Sequence, residues 1–461
     1  MEFVELSSDI LNFDSKVPVD NSIEKKEYKT FIPQSKADFN QPNSTIEIKI
    51  PACDAYYIPS ESYLEVKGQL VRNDNDAAYA EDAEISLINN AVMYMFDSIQ
   101  YRLGGQVLET INYPGHTTSI LGYLTYPDDF NSSSGLKQCW RKDVTQYADS
   151  NEFQTSQAVA ADAAILAGTF KPRRDANYNK GFDMRRKLLM SANPRGSFSF
   201  VIPFSHIFGF SEYDKVLYNM EHLLKFTRAS DTQAIHRANG VQDGKLKLTD
   251  LRWCVREVVP NPVARQGLME LIKNKSQILL HFSARSDDHT IVNDNVRTYD
   301  WMLNASAGIE KPRFIIVGLQ TNRTSTQEQN PAVFDHLNLS SACVKLNGDR
   351  YPTDYLDIDF ARNDYTKLYE MCEVFKREHF SINNLIGCHQ VDFLSFKKLF
   401  PILVFDVRHQ SEQLRSNVMS IKIELKFDAA VPAQTHLYAV IISDRIFRLT
   451  SDGQTPRMET F

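Results

Sequence analysis

The sequence predicts an all-β chain built as two tandem modules of about eight short strands each. Three observations carry this expectation. Short runs alternate apolar and polar residues between Gly, Pro and Asn turns. A tight hairpin occurs once in each half. The landmarks around it follow in the same order both times.

The first hairpin is "IQYRLGGQVLETI", Ile99 to Ile111, where Gly104-Gly105 separates two strand-like runs. Both turn positions of such a loop need positive φ, which glycine adopts without a Cβ clash. The second is "CVKLNGDRYPTD", Cys343 to Asp354, with Asn347-Gly348 in the same slot. Each half then continues through a helical stretch and a Phe-rich strand containing Pro, and reaches a strand with Leu-Lys-Phe, at Leu224-Lys225-Phe226 and Leu425-Lys426-Phe427. From Leu103 to Leu224 is 121 residues and from Leu346 to Leu425 is 79. The excess matches a polar, Ser-, Asp-, Asn- and Ala-rich stretch at about 131–190, which reads as a surface insertion.

Taken in order, residues 1–43 are polar, of mixed charge and carry Pro18, Pro33 and Pro42, so they read as an N-terminal arm. Residues 44–240 form the first module. It opens with Ile46, Ile48 and Ile50 alternating with Glu47 and Lys49, and "SYLEVKGQLVRND" repeats the pattern. Residues 241–452 form the second. There "KLKLTDLRWCVREVVP" alternates imperfectly, as a bulged strand does. "NPVARQGLMELIKN" is an amphipathic helix opened by Asn261-Pro262, "DYTKLYEMCEVFKREHF" is a second helix, and strands close the chain. Residues 453–461 are a tail. Eight antiparallel strands in two packed sheets make a jelly roll, so the expected fold is a double jelly roll with short helices in its loops.

The bulk numbers agree. A chain of 461 residues suits two or three domains, and 43% hydrophobic with 11% aromatic residues suits large β cores. The net charge is −7, with no basic tail, so strong direct nucleic-acid binding is not expected. Cysteines 53, 139, 254, 343, 372 and 388 include no CxxC pair and read as buried free thiols of a reducing compartment. "MEFVELSSDILNF" is no secretory signal, and no apolar run is long enough to span a membrane. The sequons at Asn131 and Asn338 then carry no modification.

No chemistry-bearing constellation emerges. "RLGGQV" is not a phosphate loop. Glu378-His379 reads as a solvated helix end. Asp335-His336 lacks a GxSxG partner and reads as structural. Asp287, Asp288, His289, Asn293, Asp294 and Asn295 read as a polar loop without EF-hand spacing. Asp357 and Asp359 share one face of a strand and mark its wet side. Arg173-Arg174 and Arg185-Arg186 are basic clusters of the insertion, serving solubility or contacting an acidic neighbouring subunit. No catalytic, cofactor-binding or metal-binding residue is assigned, and the chain is expected to be a structural building block and not an enzyme.

The blocks "NNAVMYMFDSIQYRLGGQVLETINYPGHTTSILGYLTYPDDF", "GSFSFVIPFSHIFGFSEYDKVLY", "EKPRFIIVGLQTNR", "NPAVFDHLNL" and "LFPILVFDVRHQSEQLRSNVMSIKIELKF" resemble the double jelly-roll major capsid proteins. The resemblance is to those of Polinton/Maverick elements and adintovirus-like DNA viruses, and covers about Thr45 to Asp452. It implies a homotrimeric, pseudo-hexameric capsomer tiling an icosahedral shell around double-stranded DNA. The implied partners are other copies of the chain, vertex (penton) proteins and minor capsid proteins. The implied location is the virion, assembled inside the host cell and not secreted. The arm would reach under a neighbouring capsomer. With the last strand near Phe461, no terminal maturation cleavage is expected. The rival readings are a β-sandwich carbohydrate-binding protein and a viral-type gene retained by a host. A glycan site needs exposed Trp or Tyr, and the chain has only Trp140, Trp253 and Trp301, of which Trp253 and Trp301 read as core or interface.

Overall fold

The computed structural model describes residues 21–34, 39–144, 179–274, 277–293, 295–304, 311–381, 390–410, 420–451 and 456–460. Most described strands lie in two sandwiches. In the first, β1 (Ile23–Phe31), β11 (Gly244–Pro260), β3 (Tyr56–Arg72) and β7 (Ser197–Pro203) form one sheet in that order, and β8 (Leu217–Tyr218) adds to β3. The facing sheet runs β2 (Thr45–Ile50), β9 (His222–Arg228), β5 (Phe96–Leu103), β6 (Gln106–Ile111). A small pair, β4 (Ile85–Leu87) with β10 (Ile235–Arg237), joins two of its loops.

In the second sandwich, β12 (Ile278–Val292), β19 (Thr435–Ser451), β14 (Lys311–Gln320) and β17 (Ile402–Asp406) make one sheet. The other runs β13 (Thr298–Met302), β18 (Ile421–Phe427), β15 (Leu339–Leu346), β16 (Asp349–Tyr351). If the eight main strands of each sandwich are counted along the chain, both have the orders 1-8-3-6 and 2-7-4-5. That shared order, antiparallel throughout, is a jelly roll made twice.

Local chemistry builds these elements as expected. Gly104 and Gly105 take φ of 56° and 84°, and Asn347 and Gly348 take 48° and 104°. The turns bring Leu103 opposite Gln106 and Leu346 opposite Asp349. The two Leu-Lys-Phe runs fall in equivalent strands, β9 and β18, but not in equivalent register. Leu224 lies opposite Tyr101, two residues before Leu103, whereas Leu425 lies opposite Ala342, four before Leu346. A two-residue offset keeps every side chain on the same face, so burial does not expose the mismatch.

The expected boundaries need three corrections. The arm to residue 43 contains β1, which pairs with β11 from Ile23 opposite Pro260 to Phe31 opposite Trp253. Its sequence IEKKEYKTF is exposed almost throughout, so no apolar alternation announces it. The division at 240/241 falls one strand early, because β11 lies between β1 and β3 in the first roll. Two register shifts, at Leu248/Asp250 and Cys254/Arg256, break its period. The tail after residue 452 contains β20 (Pro456–Thr460), paired with β19.

The insertion at about 131–190 also differs from expectation. Residues 145–178, including Arg173-Arg174, lie outside the described residues. Much of both flanks is packed inside and not at the surface. Trp140 and Asp143 are buried, and the helix Lys180–Met190 buries Phe182, Arg185, Arg186 and Leu189.

The two hydrophobic cores trade residues. Ile120, Leu121, Tyr123, Leu124 and Trp140, from the first roll's long connection after β6, pack in the second core. Leu280, Phe282, Ala284, Ala332 and Phe447 pack in the first. The rolls are therefore one fused block. Trp253 is fully buried in the first core, with ring centroids of Tyr101 and Phe204 at 6.1 Å and His222 at 6.2 Å. Trp253→Ala should lower stability by ~3–5 kcal/mol through the cavity it leaves, read as a fall in the denaturation midpoint.

Candidate functional site

The residues singled out by the sequence do not converge. Asp335 accepts from Thr321 N at 2.7 Å and pairs with Arg323 at 2.5 Å, while His336 stacks on Phe360 at 4.4 Å. Burial pushes the Asp335 carboxyl up, but the Arg323 charge and the hydrogen bonds outweigh it and leave it below the usual range. Glu378 pairs with Arg408 at 3.1 Å. His379 is not at a solvated end: only 8% of its side chain is exposed, and it stacks on Phe375 at 5.2 Å. Burial first, then Arg285, Arg313 and Arg408, lower its imidazole to about 4. Asp357 and Asp359 point outward while Leu356, Ile358 and Phe360 are buried, without belonging to a strand of either sheet. Asp287 to Val292 are not a loop but the last residues of β12; Asp294 lies outside the described residues.

Five cysteines are free thiols; Cys53 is exposed, against expectation, and Cys388 lies outside the described residues. Asn131 is buried, with its side-chain oxygen accepting from Lys142 N at 2.7 Å. Among the described residues, no group of three or more His, Cys, Asp or Glu is placed to hold a metal ion. No helix among them is long and apolar enough to cross a membrane.

What the fold does build is a seam between the rolls. β12 is an outer strand of its sheet, so alternate amides face away from β19. These amides must find acceptors. Carboxylates of the first roll supply them. Glu109 on β6, fully buried, accepts from Arg285 N at 2.7 Å, Gly209 N at 3.0 Å and Phe210 N at 2.8 Å. Glu212 accepts from Ser283 N at 2.9 Å. In return the Arg285 guanidinium donates to the carbonyls of His206 at 2.9 Å and Ile207 at 3.1 Å. Burial raises the Glu109 carboxyl, with Arg285 and the amides opposing. Gly209 is required here, because a Cβ would run into the Ser283 carbonyl.

Further along, Asp287 on β12 accepts from Asn112 N at 2.9 Å, Tyr113 N at 2.6 Å and Thr117 Oγ1 at 3.0 Å, which anchors the helix Pro114–Thr125. Tyr94 and Tyr123 donate to the carbonyls of Pro331 at 3.0 Å and Ala332 at 2.8 Å.

The insertion's flanks complete this junction. Asp143 and Arg185 form a buried ion pair at 2.9 Å, with side chains 0% and 1% exposed. Asp143 also accepts from Asn179 at 2.9 Å and from Asn330 of the second roll at 3.0 Å, and Arg185 Nε donates to the Leu87 carbonyl at 2.9 Å. Arg185 is thus an internal clamp, and Arg186, also buried, donates to the Glu81 carbonyl at 3.0 Å, so neither belongs to a solvated loop.

Each seam-forming edge has a counterpart to which no further strand pairs among the described residues. β1 is the first-roll equivalent of β12, and β16 is the second-roll equivalent of β6. Among the described residues β1 pairs only with β11 and β16 only with β15. Exposed apolar residues flank both: Tyr28 and Ile32 at β1, and Tyr355, 77% exposed, beyond β16.

Comparison with known proteins fits this architecture. A family model described as a double jelly roll-like domain matches residues 173–447, more than half of the chain. No curated protein sequence matches. In fold the chain is similar to a protein in the structure of the Sputnik virophage solved by cryo-EM (TM-score 0.58, 11% identity, covering 100% of this chain and 93% of that one). It is similar also to the mavirus major capsid protein (0.56, 13%, 100% and 96%) and the Faustovirus major capsid protein (0.53, 9%, 95% and 92%).

Two substitutions test the junction. Glu109→Gln turns an NH2 toward the Phe210 amide and should cost ~1–3 kcal/mol of stability. Asp143→Asn leaves Arg185 as an uncompensated buried charge and should cost ~3–5 kcal/mol. Chemical denaturation of the full chain measures both.

Proposed function

The chain belongs to the double jelly roll-like domain family, and we propose that it is the major capsid protein of a double-stranded DNA virus, of the Polinton/Maverick or adintovirus-like kind. Three copies form a pseudo-hexameric capsomer, and capsomers tile an icosahedral shell with vertex and minor capsid proteins. Its role is structural and not enzymatic, and its place is the virion.

The observation that carries this reading is the seam with the two counterparts of its edges. Inside one chain, the β6 side of the first roll closes on β12 of the second. The same two kinds of edge have no further strand paired to them among the described residues, as β16 of the second roll and β1 of the first. A contact between the β16 side of one copy and β1 of the next repeats the seam between chains. Such a contact is heterologous, so it generates a ring or an open filament depending on the rotation. With two rolls per copy, closure at three copies gives six rolls around one axis. The charges on β1 support solubility before assembly: Lys26 pairs with Glu61 at 2.6 Å and Lys29 with Glu257 at 2.6 Å. The domain division that fits this reading runs from β1 to β11 and from β12 to β20.

The glycan-binding alternative has no exposed tryptophan to use. Trp140, Trp253 and Trp301 are all buried, and one face of exposed Tyr355 is covered by the Arg350 guanidinium at 3.6 Å.

The test is the mass of the purified full chain by light scattering, with electron microscopy of the same sample. A mass of three chains and hexagonal particles are expected. A monomer at every concentration and salt tried would contradict the proposal.

A further inference from the structure

Beside the Asp287 anchor, aromatic rings from both rolls stack across the seam. His116, in the first roll's helix Pro114–Thr125, lies parallel to Tyr438 on β19 at 3.8 Å and 9°. Tyr438 stacks with His289 on β12 at 4.7 Å. His289 Nε2 lies 3.0 Å from Nδ1 of His436 on β19. Tyr113, also from the first roll, packs on His289 at 4.7 Å. Together they line a cavity of about 110 Å³. His116 and Tyr438 are buried, and the Gln320 side chain is the polar group beside the His116 ring, without a well-formed hydrogen bond to Nε2.

We infer that this histidine cluster is a pH-sensitive latch: in mildly acidic solution its protonation releases the first roll's connection from β12 and β19 before either roll unfolds. It concerns the single chain and holds whether or not the chain assembles.

The chemistry follows from the geometry. A hydrogen bond between two imidazoles needs one nitrogen as acceptor, and a protonated imidazole has none. Protonating both would place two cations in contact. A charged His116 would be sealed against Tyr438 and Tyr94, with the neutral Gln320 amide and no carboxylate as its polar neighbour. His289 and His436 are half-buried, so opening completes their hydration, while His116 is hydrated only by withdrawing the start of the helix from the two strands.

Among the described residues, no charged group facing the cluster hydrogen-bonds one of its imidazoles. From β12, Asp287 directs its oxygens to Asn112, Tyr113 and Thr117, and Asp288 accepts from His289 N and Asn304 N, both at 2.8 Å. From β5, Asp97 lies on the cavity wall; the first roll's Gln233 and the second roll's Thr324 are uncharged. Burial lowers His116 to about 3 and His289 to about 4, with neighbouring imidazoles adding to it and Gln320 opposing it at His116, and lowers His436 as well. Groups depressed in this way favour the closed seam above the free imidazole value near 6.5 and lose that contribution as the pH falls toward 4. Asp97 and Asp287 are raised by burial, so their contribution has the opposite sign and damps the latch. His206, His222, His236 and His379 are lowered too, so the seam must be compared with the rolls themselves.

The experiment is hydrogen exchange of the full chain at pH 7.5 and 5, corrected for the intrinsic pH dependence of exchange. Segments 111–125 and 283–291 should lose protection by ~10-fold or more relative to β9 and β18, the loss per depressed histidine being of that order. In the variant His289→Gln with His436→Gln the differential should shrink. If the seam segments keep pace with β9 and β18, or the double variant keeps the full differential, the latch is overturned. If the variant does not fold, imidazole NMR of the unaltered chain decides. His289 titrating near 6.5 with the seam still protected overturns the inference, and titration displaced toward 4 together with seam opening supports it.

Discussion

An edge strand whose amides face a neighbouring domain must be given acceptors, and most of this structure answers that constraint at β12. The acceptors are Glu109 and Glu212, side-chain carboxylates of the first roll, where a sheet would use a further strand. A carboxylate contributes two oxygens at a point, and one fully buried carboxylate here serves three amides on two rolls. The cost of burying that charge is offset by charge-assisted hydrogen bonds and by Arg285. Gly209 exists to let the backbones approach, and the traded core residues lock the approach in place.

Doubling a roll in this way has a consequence for assembly. A single roll with unlike edges offers two surfaces. Two fused rolls consume one of each and leave one of each. Among the described residues the fused block is left with two unlike edges, β1 and β16, and the proposed assembly joins one to the other. The long connections take part in the same junction: the β6–β7 connection supplies the helix held by Asp287 and the Asp143–Arg185 pair, and the β14–β15 connection supplies Asn330 and the carbonyls of Pro331 and Ala332.

Much of the fold was legible in the sequence because its signals are local. Gly104-Gly105 and Asn347-Gly348 announce positive φ, Ile46, Ile48 and Ile50 announce a face, and Asn261 caps its helix by accepting from Ala264 N at 2.7 Å. What failed was non-local or charge-masked. β1 carries Lys and Glu on both faces and so reads as an arm. The polar run at Asp287 hides a strand whose exposed-looking residues are covered by the other roll. Arg185-Arg186 looks like a surface cluster because its partner Asp143 lies 42 residues earlier, across the insertion. The seam itself was not legible at all. Glu109 and Arg285 are 176 residues apart, and only the folded topology brings them together.

The measurement that bears most directly on the account is a cryo-EM reconstruction of the assembled full chain. The account predicts rings of six jelly rolls from three copies, with β1 of each copy against the β16 side of the next, in the manner of the internal seam. A two-fold interface pairing β1 with β1, or contacts that leave both edges in solvent, would contradict it.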